Sequence, residues 1–153
     1  MSDDLHLGAD IRLSLRNHEL RPVYVVGTTR RRVPKKTGFL EDIDIVSGRE
    51  NLGQAVVIRL LTPRGELAAL AHPDYGSRLH ELIGRQNTNT NRNLIKLYIL
   101  ESLAAEPRIE KVLSVTVEPA KGTRDTVVVR LTVKPVESFQ PLSIGPFALE
   151  LSQ

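Results

Sequence analysis

Apolar and polar positions change period several times along the chain, and each change marks an element. Ile11, Leu13 and Leu15 alternate with Arg12, Ser14 and Arg16, the period-two signature of a half-buried strand. A second short apolar run at 23–26 follows Pro22, and the two runs suit a hairpin or an extended arm. From Glu50 the spacing turns helical: Leu52, Ala55, Val56, Arg59 and Leu60 recur on one face. Ser47 or Asn51 is placed to cap that helix, and Pro63 and Gly65 stop it. Ser77 is placed to cap a short helix whose apolar face is Leu79, Leu82 and Ile83, ended by Gly84. A polar Asn/Thr tract at 86–93 offers further caps for the longest helix, expected from about 91 to 105. Its apolar residues, Leu94 to Leu103, fill more than one narrow stripe, which predicts burial on most sides. Pro107 ends it. Leu113, Val115 and Val117 then alternate with polar neighbours, as do Val127, Val129, Leu131 and Val133, with a turn around Gly122. This is the clearest hairpin in the chain. Pro135 and Pro141 bracket a loop, and Phe147, Leu149 and Leu151 predict a last short strand. Helices and strands are segregated, so the pattern favours an α+β fold: helices packed on a small, mostly antiparallel sheet with a C-terminal hairpin and a terminal strand.

Length and composition narrow the class. The 153 residues are 41% hydrophobic and 25% charged, which is one ordinary domain able to bury about 70% of its unfolded surface. The absence of cysteine excludes a disulfide framework, a thiolate metal site and a thiol nucleophile. No apolar run approaches the ~18 residues of a membrane span, and the acidic start of the chain lacks the basic and apolar blocks of a signal peptide. The charge of +3 comes from 21 Lys and Arg against 18 Asp and Glu. It is concentrated: Arg30, Arg31, Arg32, Lys35 and Lys36 fall within seven residues that also hold Pro34, so the run reads as a loop. The expected division is an N-terminal arm or hairpin with this basic loop at 1–38, and the main domain at 39–153.

The candidate chemistry is thin. His80-Glu81 begins a zinc-protease pattern, but the second ligand position is Gly84. His72, His6 and His18 do not complete a metal set, so no metal and no cofactor is expected. Lys36-Thr37 lacks the glycine that a phosphate loop places before its lysine. Glu66 with Asp74, or Asp42 with Asp44, would provide a hydrolase's two carboxylates, yet a chain without Trp and with three Tyr and three Phe has little to stack against a sugar. The basic run has no groove-reading helix or stacking aromatics beside it, so nucleic acid is not expected as a partner. A solvated loop or a protein-docking arm using Arg30, Arg31 and Arg32 fits better. Glu106-Pro107-Arg108 differs in kind, because the proline fixes the backbone between two opposite charges.

Four segments carry a resemblance. Asn51-Leu52-Gly53-Gln54, Leu60-Leu61-Thr62-Pro63-Arg64-Gly65-Glu66, Tyr75-Gly76-Ser77-Arg78-Leu79 and Glu106-Pro107-Arg108, in this order and with a β-hairpin after the last, resemble the phage baseplate wedge family called GPW-like or lysozyme-like. Its members initiate the sheath in contractile tails and injection systems. The resemblance covers roughly three quarters of the chain, from about Leu40 to Leu151, and leaves the arm outside. It implies a non-enzymatic, structural role despite the lysozyme label. It implies docking of Glu106, Pro107 and Arg108 on the helical core bundle of the wedge. It further implies strand pairing with sheath subunits through the hairpin at 111–134 or the terminal strand holding Phe147, Leu149 and Leu151. The expected partners are baseplate wedge proteins and sheath subunits, with hub or tube proteins as further candidates and several copies in a ring-like assembly. Assembly in the cytoplasm, without membrane insertion, into a phage tail or contractile injection particle is the corresponding expectation. A small peptidoglycan hydrolase is the alternative.

Overall fold

A computed structural model describes residues 4–15, 24–32 and 39–151. The N-terminal part is built of short strands: β1 (Ala9–Ile11), β2 (Leu13–Leu15), β3 (Tyr24–Val26), β4 (Thr28–Arg32), β5 (Phe39–Ile43) and β6 (Ile45–Ser47). They form antiparallel pairs, β1 with β6, β2 with β3 and β4 with β5. The alternation at 11–15 thus falls on two short strands, the end of β1, paired with β6, and β2, paired with residues 24–26 of β3. Helix α1 (Gly48–Leu61) follows, then 3-10 turns at Ala68–Leu70 and Leu79–Leu82, then α2 (Asn89–Leu103). Strands β7 (Ile109–Pro119), β8 (Thr126–Pro135) and β9 (Leu142–Glu150) complete an antiparallel sheet in the order β7-β8-β9.

Local chemistry explains the helix limits. Thr88 caps α2, its side chain accepting from the Asn91 amide at 3.2 Å, which satisfies one of the donors a helix start leaves free. Ser47 does sit at the N-cap of α1, but its side chain makes no capping bond there. After α1, Pro63 pairs with Ser77 in a parallel bridge. Arg64 N donates to Ser77 O and Ser77 N to Thr62 O, both at 2.9 Å. The Ser77 hydroxyl donates back to Leu60 O. Gly76 is required at this crossing. Its φ is +107°, and a Cβ there would lie 2.3 Å from Thr62 O, which no side chain could occupy.

The core lies between the two helices and the inner face of the sheet. Leu52, Val56 and Leu60 of α1 and Ile95, Ile99 and Leu103 of α2 pack on Val127, Val129, Leu131 and Val133 of β8. Each of these side chains contributes roughly 1.5–3 kcal/mol by leaving water. Leu7, from a 3-10 turn at Asp4–Leu7, is fully buried in the same cluster.

Three expectations meet a different structure. Arg30, Arg31 and Arg32 are not in a loop but in β4, where the register sets them opposite Glu41, Leu40 and Phe39. Pairing with 39–43 gives this segment the hydrogen bonds that its composition alone did not promise. Lys35, Lys36 and Thr37, like His18, lie outside the described residues. Helix α2 is not buried on most sides either. Leu97 is 56% and Leu100 44% exposed, because α1, the 3-10 turn at Leu79–Leu82 and β7 pack against the helix and leave one of its faces to solvent. The terminal strand begins at Leu142, earlier than its apolar triplet indicates, since Leu142 and Ile144 extend pairing with Val133 and Leu131.

Candidate docking site

The Glu106-Pro107-Arg108 triplet sits where the chain leaves α2 and enters β7. Pro107 disfavours helical backbone at the residue before it, so the chain turns, and the two charges fold onto one another. Glu106 is buried, 4% exposed. Its Oε1 accepts from Arg108 Nε at 2.7 Å, and its Oε2 accepts from Arg108 Nη2 and from Arg59 Nη2, each at 3.3 Å. Arg108 also donates through Nη1 to Leu7 O at 3.3 Å. This fork is the planar geometry for which Arg and carboxylate are matched. Burial pushes the Glu106 carboxyl up, but the hydrogen bonds and charge of Arg108, with the charge of Arg59, outweigh it and hold the group below its ordinary value. The hydrogen bond to Glu106 in turn raises Arg108 against the opposing effect of burial.

Arg59 projects from the core-facing side of α1 and is 8% exposed. Its guanidinium stacks on Tyr75, 4.5 Å from the ring centroid, a cation–π contact. Burial pushes the Tyr75 phenol up. The Arg59 Nε has no hydrogen-bond partner. Beside the stack lies a hollow of about 290 Å³ lined by Arg59, His72, Pro73, Asp74, Tyr75 and Ala105.

Several of the motif residues hold the elements around this site together. Asn51 Nδ2 donates to Leu7 O at 3.0 Å, the carbonyl that Arg108 also uses. Gln54 ties α1 to the N-terminal strands through Ile11 O and Leu13 N, both at 2.8 Å. The Pro63–Ser77 bridge and Gly76 position Tyr75, and Ser102 Oγ anchors this turn to α2 through Gly76 O at 2.8 Å. Arg59 and Tyr75 were not among the sequence candidates. The available signal was a cation at an apolar-face position of α1, since Arg is rarely buried unpaired.

The loop after β8 adjoins this site. Val136 N donates to Arg108 O at 3.0 Å. Arg49 pins the loop through Ser138 Oγ at 3.1 Å and Gln140 O at 3.0 Å. Phe139 at its tip is 100% exposed.

Phe147, Leu149 and Leu151 have buried side chains. Leu151 lies just past β9, where its amide donates to Asp125 O at 2.8 Å and its carbonyl accepts from Gly84 N at 2.7 Å. Among the described residues no strand pairs with the outer edge of β7 or of β9. Beside the start of β9 runs a groove of about 490 Å³ lined by Leu13, Val57, Ile58, Leu142 and Ile144, among others.

The carboxylates weighed for hydrolysis are placed as follows. Glu66 and Asp74 are exposed loop residues. Asp42 accepts from the Ile43 amide at 2.9 Å, and Asp44 pairs with Arg12 at 2.5 Å. His80 Nδ1 lies 3.1 Å from Ser77 O and His6 Nε2 2.8 Å from Val136 O. Among the described residues no three His, Asp or Glu side chains gather as metal ligands, and no helix is long and apolar enough to cross a membrane.

No curated protein matches the chain. The crystal structure of a Geobacter sulfurreducens protein, described as a candidate tail lysozyme, superposes with a TM-score of 0.59 at 25% identity, covering 68% of this chain and 91% of that one. The profile of the contractile injection system sheath initiators matches residues 32–137, a span that contains all four motif segments and the buried fork. The chain belongs to the contractile injection system sheath initiator family.

Proposed function

We propose that this protein docks on the baseplate wedge through the surface around Arg108 and starts the sheath by offering a sheet edge to the first sheath subunits. The observation that carries the docking half is the Glu106–Arg108 fork. Glu106 is spent inside the molecule, so it holds the arginine in place. Arg108, with its side chain 30% exposed, presents the contact, and Phe139, fully exposed on the loop that begins at Val136, extends it. Arginines and aromatics are among the side chains enriched at binding hot spots. Pro107 supplies the rigid spacer. Arg30, Arg31 and Arg32 in β4 provide a second, arm-like contact for a hub or wedge neighbour.

The sheath half rests on the open edges. An unpaired edge accepts a partner strand through main-chain hydrogen bonds, with little demand on its sequence. Phe147, Leu149 and Leu151 hold β9 in register from the core side, and the pairing itself runs along the backbone. On this reading the protein works within a particle, in several copies, with wedge and sheath proteins as neighbours and no catalytic step of its own.

Assembly decides the docking claim. Arg108→Ala is expected to remain folded and to be missing from baseplates, and normally sheathed particles from that variant would refute it. Because the chain has no cysteine, Ser143→Cys on β9 and Ser114→Cys on β7 each carry a unique photo-crosslinker. Crosslinks to the sheath subunit from one of these edges support strand addition, and none from either edge in assembled particles refutes it. A zymogram tests the hydrolase alternative: a lytic band lost in Glu66→Gln would overturn the structural reading.

A further inference from the structure

We infer that the apolar groove between α1 and the first half of β9 is the seat of the incoming strand, and that Gly53 leaves room for it. The inference deepens the sheath half of the reading above and rests on it. It assigns which open edge is used and what binds there: an extended segment with apolar side chains at alternate positions.

Glycine usage carries the argument. A glycine inside a helix weakens it relative to alanine, so each one calls for a reason. All but one of the other described glycines have a positive φ. At the exception, Gly27, a Cβ would crowd the Arg12 side chain at 3.2 Å. Gly53 has neither reason. It lies within α1, and a Cβ built on it would meet nothing within 4 Å. The open space over it belongs to the groove of about 490 Å³. The fold itself has no use for a bare backbone here, whereas a second backbone passing close to the helix does.

The lining defines the occupant. Gly53, Val57 and Ile58 come from α1, Leu142 and Ile144 from β9, and Leu13 from β2. Two charged residues also line the groove, and both are engaged within the chain. Arg49 holds the loop at Ser138 and Gln140, and Glu50 pairs with Arg12 at 2.5 Å. The groove therefore suits an apolar guest. Leu142, Ser143 and Ile144 pair in unbroken register with β8 and with no described strand on their other side. A strand laid along that edge gains main-chain hydrogen bonds, and every second side chain turns toward α1. A helix seated there would leave the edge unpaired. Pro146 has no N–H to offer, so the added ladder is short, and the apolar groove supplies the remaining hold. The other open edge, β7, is bulged at Glu110 and Leu113 in its first half, a device that discourages pairing.

The test uses the full-length protein carrying Gly53→Ala or Gly53→Leu. Both side chains enter open space, so thermal unfolding of Gly53→Ala should rise by about 2–4 °C. A lowered Tm would show that the fold needs this glycine and would overturn the inference. Baseplates containing either variant are then offered purified sheath subunits. Sheath initiation on Gly53→Leu should be at least about ten-fold slower than on the parent, with Gly53→Ala in between. Initiation at the parent rate on Gly53→Leu overturns the groove. Photo-crosslinking separates this failure from that of strand addition itself. Sheath crosslinks from Ser143→Cys and not from Ser114→Cys support the groove. Crosslinks from Ser114→Cys alone overturn it and leave strand addition standing on β7. Crosslinks from neither edge overturn strand addition and the extended occupant together.

Discussion

Removing the Glu106 carboxylate is the perturbation that most directly probes how the site is built. Glu106 is 4% exposed, and its two oxygens serve Arg108 and Arg59 together. Glu106→Ala leaves the Arg59 guanidinium, on a side chain only 10% exposed, buried without its anion. Breaking a buried pair in this way costs about 3–5 kcal/mol. The Arg108 side chain is 30% exposed and can turn to solvent, so the lower end, about 3 kcal/mol, is expected. Glu106→Gln retains one acceptor oxygen and should cost about 2 kcal/mol. Arg108→Ala should cost only about 1 kcal/mol, because Glu106 keeps Arg59. For a chain of this size 3 kcal/mol is about 6–12 °C in Tm. Urea unfolding followed by circular dichroism measures all three variants, and a Glu106/Arg108 double-mutant cycle gives the coupling. A ranking in which Arg108→Ala is more damaging than Glu106→Ala would refute the view that Glu106 is an internal positioning residue. So would a Glu106→Gln variant within about 0.5 kcal/mol of the parent.

Other consequences can be checked with the same purified protein. Because the Glu106 carboxyl is held below its ordinary value of 4.5, its contribution is fully present above that value and is lost as pH falls below it. The acid limb of the stability curve should therefore be shallower in Glu106→Gln than in the parent, and identical limbs would contradict this. Gly76→Ala puts a methyl 2.3 Å from a main-chain oxygen at φ +107° and should destabilise by about 2–4 kcal/mol, read as the shift in urea midpoint; an unchanged midpoint would mean that the crossing relaxes. Leu149→Ala, at a site 1% exposed, should cost about 2–5 kcal/mol by the same measurement, against near neutrality if the end of β9 were peripheral. Phe139→Ser should leave stability within about 0.5 kcal/mol while weakening recruitment to baseplates in a co-purification assay, and undiminished recruitment would remove Phe139 from the contact surface.

The sequence by itself determined the elements whose pattern is local. The hairpin of β7 and β8 was legible because Val127, Val129, Leu131 and Val133 alternate with more polar neighbours, and the observed strand buries those same four side chains. The stops at Pro63 and Pro107 and a capped start near Thr88 were legible because proline and cap chemistry act over a few residues. The family was legible because its four segments keep order and spacing. Tertiary structure decided what depends on distant partners. The basic stretch became a strand only because 39–43 pairs with it, and hydrogen bonds across a ladder are invisible in one strand's composition. Helix α2 shows Leu97 and Leu100 to solvent because periodicity counts apolar residues and not the layers available to cover them. The candidate docking site divides along the same line. Glu106-Pro107-Arg108 could be picked out from its sequence, but its internal division of labour could not, since it rests on Arg59, forty-seven residues from Glu106, arriving from another helix with its own aromatic platform. A triplet shows which charges are neighbours along the chain; only packing shows that the carboxylate faces inward and the arginine outward.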